Sequence, residues 1–277
     1  MRRACVIGWP IEHSRSPAIH GYWLKHYKID GDYRAEAVRP EDVAAFLNSL
    51  AVKGYVGANV TLPHKEEALR LADSVDAAAQ AIGAANTLWL DKAGKLHASN
   101  TDAFGFMTNL EREAPGWQDK KRPVVVLGAG GAARAILYGL IEASVGRILL
   151  LNRSRDRAES LAKNFGGDIE VRDWSQRNEA LSGAGLLVNT TSLGMVGKLP
   201  LDLDLAGLLK DAVVADIVYN PLETELLAAA RARGNRVVDG LGMLFYQAVP
   251  GFEHWFGVRP EVTAELRKQV EATLGRR

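Results

Sequence analysis

The sequence has a single cysteine, Cys5, so it can form no internal disulfide. A reducing, cytoplasmic setting fits that usage. Basic and acidic residues nearly cancel, 34 against 33, leaving a net charge of +1. That balance provides no electrostatic footprint for nucleic acid. Its one basic cluster, Lys120-Lys121-Arg122, precedes Pro123 and reads as a solvated connection into a strand. No apolar run reaches the roughly 20 residues that cross a bilayer. The N-terminal run Ala4–Trp9 is too short for a signal-peptide core and is read as a buried first strand. Internal repeats and low-complexity segments are missing. The six histidines (His13, His20, His26, His64, His97, His254) make no ligand spacing with carboxylates or with Cys5, so no metal is expected.

What is present is ordinary globular material: 47% hydrophobic and 24% charged residues over 277 positions, enough for about two domains. Strand-like and helix-like segments alternate from the start. Ala4–Gly8, Tyr33–Val38 and Tyr55–Val60 read as strands. Ser16–Tyr27 and Glu41–Leu50 read as helices, and another helix begins near His64. Thr87–Leu90 and Lys95–Ser99 read as a hairpin, followed by a helix over Asp102–Arg112. This rhythm predicts an α/β fold with a mainly parallel sheet. The polar stretch after Ala114-Pro115-Gly116 marks a domain boundary, beyond which Val124–Leu127 is a continuously apolar, buried parallel strand. Further strands are expected at 147–151, 186–188, 213–217 and 236–238, and helices at 241–256 and 260–274.

Gly128-Ala129-Gly130-Gly131-Ala132-Ala133 follows one of those strands and opens an apolar helix. Gly128, Gly130 and Ala133 take the positions of the dinucleotide fingerprint. The first allows a tight turn, the second a close approach of pyrophosphate to backbone, and the third close helix–strand packing. The helix N-terminus offers N–H groups and positive dipole to phosphate. A simple glycine-rich connection is the plainer alternative, but the strand before and the further strand after favour a Rossmann-like unit. About 20 residues on, where an NAD-binding chain carries Asp or Glu, stand Asn152-Arg153-Ser154-Arg155-Asp156-Arg157. Arginines there attract a 2′-phosphate, which favours NADP. Arg153 and Arg157 are four apart and could share an anion from one helical turn, with Ser154 as its cap. Pairing of these arginines with Asp156 and Glu159 is the alternative.

In the first half, Asn59-Val60-Thr61-Leu62-Pro63-His64-Lys65 leaves a strand and enters a helix. Polar groups at strand C-termini lie where α/β sheets bind ligands. A lysine in the first helical turn meets an unfavourable dipole, which lowers its pKa and suits it to general base work. Asn100-Thr101-Asp102 supplies a carboxylate that, beside Lys65, would stabilise the charged form instead. The two pushes oppose each other. Taken singly, Lys65 also reads as a surface residue and Asp102 as an N-cap.

Together these segments resemble shikimate dehydrogenases. The likeness runs through Gly8-Trp9-Pro10-Ile11-Glu12-His13-Ser14-Arg15-Ser16-Pro17, Asn59–Lys65, Gly83-Ala84-Ala85-Asn86-Thr87 and Asn100-Thr101-Asp102. It continues through the glycine turn with Asn152-Arg153-Ser154, then Asn189-Thr190-Thr191-Ser192-Leu193-Gly194-Met195 and Tyr219-Asn220-Pro221-Leu222-Glu223-Thr224. Asp239-Gly240-Leu241-Gly242-Met243-Leu244 and Gln247 complete it. The blocks follow family order over essentially the whole chain. Two positions depart from the pattern, Gly21 where Asn is usual and Ala103 where Gly is common.

The resemblance implies a substrate domain over 1–114, an NADP-binding Rossmann domain over 115–240, and helices over 241–277 that return to the first domain. It implies that Lys65 and Asp102 are the catalytic pair and that Ser14 and Ser16 bind a carboxylate. Thr61, Asn86 and Gln247 would contact ring hydroxyls, with Tyr219 nearby. Gly128, Ala129, Gly130, Gly131, Ala132, Asn152, Arg153, Ser154 and Arg157 would hold the phosphates and adenosine end of NADP. Thr191, Ile217 and Gly240 would lie toward the nicotinamide. The expected reaction is reversible NADPH-dependent reduction of 3-dehydroshikimate to shikimate in aromatic amino-acid biosynthesis. Alternatives are a quinate/shikimate dehydrogenase using NAD, a folate-type dehydrogenase with a catalytic lysine, and a non-catalytic NADP sensor on the same fold. A small-molecule substrate and a monomer or homodimer complete the expectation.

Overall fold

The computed structural model describes residues 1–274. The chain divides into two compact units, one of Met1–Asp102 with Phe245–Thr273, the other centred on Ala103–Leu244. In the first, strands β1 (Arg2–Gly8), β2 (Gly31–Ala37), β3 (Tyr55–Val60), β4 (Ser74–Val75), β5 (Thr87–Leu90) and β6 (Leu96–Ser99) form one sheet in the order β2-β1-β3-β5-β6-β4. Pairings β1/β2, β1/β3 and β4/β6 are parallel, while β3/β5 and β5/β6 are antiparallel. The expected hairpin is thus the element that turns a parallel sheet into a mixed one. Strand β1 has β2 on one side and β3 on the other, so the chain leaves β1 toward one side and then leaves β2 toward the other. Such a switch point opens a crevice at the C-terminal end of β1.

Helices α1 (Ser16–His26), α2 (Val43–Asn48), α3 (Lys65–Leu71) and α4 (Ala77–Ile82) connect these strands. Pro17 sits in the first turn of α1, where its missing N–H costs nothing. The span 41–50, expected as one helix, is a single 3₁₀ turn at Pro40–Asp42 leading into the six-residue α2. Helix α4 lies outside the expected elements, although its ends are readable. Asp76 accepts from the Ala79 N–H, and Gly83 closes the helix in the left-handed conformation.

The second unit opens with helix α5 (Asp102–Glu113) and carries a six-stranded, wholly parallel sheet. Its strands are β7 (Val124–Leu127), β8 (Ile148–Asn152), β9 (Ile169–Asp173), β10 (Leu186–Asn189), β11 (Val213–Asp216) and β12 (Arg236–Val238), in the order β12-β11-β10-β7-β8-β9. The central strands are buried from end to end, as their unbroken apolar runs require. Strand β7 is the switch point of this sheet, and the glycine turn leaves its C-terminal end. Helices α6 (Gly131–Glu142), α7 (Arg155–Phe165) and α8 (Glu225–Ala232) link the strands.

A boundary after residue 114 would have left α5 with the first unit. Instead Phe106, Leu110, Ala114 and Trp117 join the core formed by β7, β8, β10 and α6. The periodic apolar face of α5 has its partner in that core, so the division falls at 102/103. Helix α9 (Gly240–Phe256) crosses the second division, at 244/245, and helix α10 (Ala264–Glu271) belongs with the first unit. No helix among the described residues is long and apolar enough to cross a membrane, and none of their acidic, cysteine and histidine side chains form a metal-ligating group.

Phe106 is 2% exposed, and its removal leaves a cavity in the core of the second unit. Phe106→Ala should therefore cost about 3–5 kcal/mol, read as a lower midpoint in chemical denaturation. A loss below about 1 kcal/mol would show that α5 does not depend on that core.

Candidate active site

The first unit brings Lys65, Asn86, Asp102 and Gln247 together. Lys65 is the first residue of α3, placed there by the turn after β3. Its Nζ donates to Asp102 Oδ2 at 2.5 Å. The other carboxylate oxygen, Oδ1, accepts from Asn86 Nδ2 at 2.8 Å. Asp102 opens α5, yet both its oxygens go to these side chains, so capping is not its role. Asn86 Nδ2 also reaches Gln247 Oε1 at 3.3 Å, and Gln247 is buried rather than set on a solvated helix face. The lysine and aspartate side chains remain 25% and 14% exposed, so the pair is sheltered but reachable.

A buried scaffold fixes these groups. Asn86 Oδ1 accepts from the Thr101 N–H at 2.8 Å and from Thr101 Oγ1 and Thr87 Oγ1, both at 3.1 Å. Its amide is thereby oriented with nitrogen toward Asp102. Thr101 Oγ1 is also 2.8 Å from the Gln247 carbonyl. Asn59, at the end of β3, accepts from Tyr33 Oη at 2.6 Å and donates to Asn86 O and Thr87 Oγ1. Thr101, Thr87, Asn59 and Tyr33 were not among the expected site residues. Asn100-Thr101-Asp102, Asn59–Lys65 and Gly83–Thr87 contained the first three, but Tyr33 becomes visible only when β2 and β3 flank β1. His20 stacks on Tyr33 with ring centroids 4.0 Å apart, and burial pushes its pKa down to about 3, so the ring is neutral.

Ser14 and Ser16 lie at the start of α1, where Ser14 Oγ accepts from the Ser16 N–H at 3.3 Å. Thr61 leaves β3 with its N–H bonded to the Ile7 carbonyl at 2.9 Å, which places it at the C-terminal switch point of β1. Of the two departures from the family pattern, Gly21 is exposed with open space where a Cβ would stand, and Ala103 is buried. Tyr219 belongs to the second unit, on the segment after β11.

In that second unit, Gly128 adopts φ +108, and a Cβ there would stand 2.5 Å from Thr190 Oγ1. Only glycine allows the turn and this close approach. Around Gly130 and Gly131 the space is open. Helix α6 begins with no side-chain cap on its N–H groups. Asn152 Oδ1 accepts from the Ala129 N–H at 3.2 Å, holding the glycine turn against the end of β8. Helix α7 starts at Arg155, so Arg153 precedes it and does not share a helical turn with Arg157. Ser154 holds the N-cap position without making a capping bond. Arg155 is committed to Glu159 and Asp173, whereas Arg153 and Arg157 are exposed and make no ion pair among the described residues.

Thr191, Ile217 and Gly240 gather at the ends of β10 and β11. The Ile217 N–H reaches the Asn189 carbonyl at 3.1 Å, and any Cβ on Gly240 would collide with the Ile217 carbonyl. Asp216, 2% exposed, lies between them and was not expected as part of the site. Burial pushes its pKa up from about 3.8 to about 6, against the hydrogen bonds of Thr224, Val218 and Asn189.

A phosphate-ready helix start in one unit and a lysine–carboxylate pair in the other define an α/β oxidoreductase of the dinucleotide-dependent class. Comparison with known proteins narrows the class. The profile of the shikimate dehydrogenase substrate binding domain matches residues 6–88, that of shikimate / quinate 5-dehydrogenase matches 110–195, and that of the shikimate 5′-dehydrogenase C-terminal domain matches 240–271. The shikimate dehydrogenase (NADP(+)) of Rhodopseudomonas palustris strain TIE-1 is 58% identical over 273 residues, covering 99% of this chain and 97% of its own. The chain belongs to the shikimate dehydrogenase family. A Thermus thermophilus shikimate 5-dehydrogenase solved with NADP(H) and shikimate is 35% identical with TM-score 0.87, covering 99% of this chain and all of its own. A quinate dehydrogenase from Corynebacterium glutamicum solved with NAD is 30% identical with TM-score 0.90, covering 98% of each chain.

The native state holds a proton on Asp216 between about pH 3.8 and 6 that the unfolded chain does not. This group's contribution to stability is therefore greatest below the lower value and is lost as pH rises through the upper one, by about 3 kcal/mol in all. Asp216→Asn escapes that loss. Its stability relative to the parent, followed by denaturation, should rise by about 1 kcal/mol between about pH 5 and about pH 8. A flat difference would show that Asp216 does not titrate there.

Proposed function

We propose that this chain reduces 3-dehydroshikimate to shikimate reversibly with NADPH, in the route to the aromatic amino acids. The observation that carries the reading is the Asp102 carboxylate holding Lys65 and Asn86 at 2.5 and 2.8 Å, in a chain 58% identical to a shikimate dehydrogenase (NADP(+)) along nearly its whole length. The residues of the second unit fit NADP. The open backbone at Gly130 and Gly131 leaves room for pyrophosphate, and the uncapped start of α6 offers it N–H donors. Asn152 stands where a carboxylate would repel a 2′-phosphate, and Arg153 and Arg157 are exposed to meet one.

When bound, NADP supplies or accepts the hydride. The protein's own part is to bind, orient and move a proton. Lys65 delivers a proton to the oxygen that becomes the new hydroxyl, or removes it in the reverse direction. Asp102 keeps the ammonium aimed and, through the same carboxylate, accepts from a neighbouring ring hydroxyl. Asn86 and Gln247 read further hydroxyls. Ser14 and Ser16 take the substrate carboxylate with hydroxyl donors at the start of α1, with Thr61 beside them. Thr191, Ile217 and Gly240 set the nicotinamide end. A reducing, cytoplasmic setting and a monomer or homodimer belong to the same reading.

Likeness to the quinate dehydrogenase favours a second reading, with quinate and NAD. Formation of reduced nicotinamide from NADP or NAD, with shikimate or quinate, decides between them. Turnover confined largely to shikimate with NADP is expected; preference for quinate with NAD would reverse the specificity, and silence in all four pairings would sink both readings. Lys65→Ala should lower kcat by about 10²–10⁴-fold with shikimate affinity comparatively intact, and near-normal turnover would remove Lys65 from the proton step. Arg153→Ala and Arg157→Ala should raise the KM for NADP but leave that for NAD nearly unchanged. An equal effect on both cofactors would show that these arginines do not read the 2′-phosphate.

A further inference from the structure

Strands β10 and β11 run parallel with Asn189 and Asp216 in register at their C-terminal ends. Each begins a loop that the proposed function uses, one carrying Thr191 and the other Ile217 and Tyr219. We infer that Asp216 is a positioning residue that sets the nicotinamide end of the site through Asn189, an inference that rests on that proposed function.

The case is one of hydrogen-bond polarity. An ionised carboxylate only accepts, so every partner must present a donor. Asp216 Oδ1 accepts from Asn189 Nδ2 and from the Val218 N–H, both at 3.0 Å, and Oδ2 accepts from Thr224 Oγ1 at 2.7 Å. The Asn189 amide is thus held with its nitrogen toward Asp216 and its oxygen turned away. That oxygen accepts from the Thr191 N–H at 3.0 Å and from Thr191 Oγ1 at 2.7 Å. With its proton given to Asn189, Thr191 Oγ1 turns a lone pair to the Leu193 N–H at 3.1 Å. One charge orders donors and acceptors from Asp216 to Leu193 in a single direction.

The same carboxylate fixes the other loop. The Val218 bond shapes the chain beside Ile217, and Thr224, capping α8 through the Leu227 N–H, anchors the far end of the segment 217–224. A bond of 3.0 Å from the Val196 N–H to the Asn220 carbonyl joins the two loops further out. The phosphate-holding residues lie elsewhere, on the glycine turn after β7 and at the end of β8. Release of Asp216 should therefore disturb hydride alignment and leave the grip on NADP in place. Burial makes this carboxylate an unfavourable one to keep ionised, and a neutral side chain with the same acceptor would support the loops at lower cost.

Asp216→Ala, assayed with shikimate and NADP, should lose roughly ten-fold or more in kcat while the KM for NADP stays within about two-fold. Asp216→Asn should recover most of that loss, because the Val218 N–H requires the amide oxygen on the Asn189 side. Asn189→Leu breaks the same path while leaving the other two bonds of Asp216 intact. It should match the loss in Asp216→Ala, with the double variant no worse than the poorer single one. Hydrogen exchange at the Thr191 and Val218 amides should quicken in Asp216→Ala and not in Asp216→Asn. Unchanged kcat in folded Asp216→Ala, parallel loss of kcat and NADP affinity, or no recovery in Asp216→Asn would each overturn the inference. If Asp216→Ala does not fold, normal turnover in Asn189→Leu would overturn it alone. Absence of turnover in the parent enzyme would refute the proposed function instead, and the exchange rates would still report whether Asp216 holds the two loops.

Discussion

Asp102 gives each carboxylate oxygen to a different side chain, one to the Lys65 ammonium and one to the Asn86 amide. An anion that sheltered must have donors, and both are supplied by elements that reach it only when the first sheet closes. Lys65 comes from the turn after β3, Asn86 from the entry to β5, and Asp102 from the end of β6. The pairing of β3 with β5 and of β5 with β6 is therefore as much a condition of the site as the side chains are. Thr101 and Thr87 saturate the Asn86 oxygen and prevent its amide from turning over, so the orientation of one amide passes directly into the position of the lysine.

The second unit solves a related problem with a different ordering group. Its parallel sheet directs every strand's C-terminal end to one edge, and strand order reverses at β7. The glycine turn follows β7 and Asn152–Ser154 closes β8, while Thr191 and Ile217 follow β10 and β11. In both units a carboxylate faces an asparagine amide and fixes its direction: Asp102 with Asn86, Asp216 with Asn189. The first carboxylate stays reachable and holds a lysine. The second is enclosed, and burial raises its pKa against the neutral donors that it holds.

Much of this was legible in the sequence. Continuous apolar runs such as Val124–Leu127 and Val213–Val214 disclose buried parallel strands because both of their faces are covered. The glycine turn, Lys65 at the opening of α3, and Asp102 at the start of α5 were placed by local rules for turns and helix ends. What escaped depended on partners distant in the chain. Strand β9 has an alternating, partly exposed pattern at a sheet edge, and β4 has two residues, too few for any period. The division at 102/103 follows from which core the apolar face of α5 meets, which periodicity alone does not state. Asp216 and Asn189 lie 27 residues apart, and nothing local to either announces the bond. Reading Arg153 and Arg157 as one helical turn failed because α7 starts two residues later than that reading needs.

The position of the unit boundaries has a consequence for how this protein can be recombined. The cofactor unit is an insertion into the substrate unit, which resumes at Phe245. Exchanging it for that of a relative takes two crossovers, and both fall inside helices, α5 at 102/103 and α9 at 244/245. Neither junction is a free linker. At the first, Asp102 stays with the recipient while the rest of its helix comes from the donor, so the graft must continue a helical turn whose leading side chain already holds Lys65. At the second, the donor's helix must run in phase into the turn that carries Gln247. Chimeras would thus be limited less by the match of two cores than by helical phase at two peptide bonds.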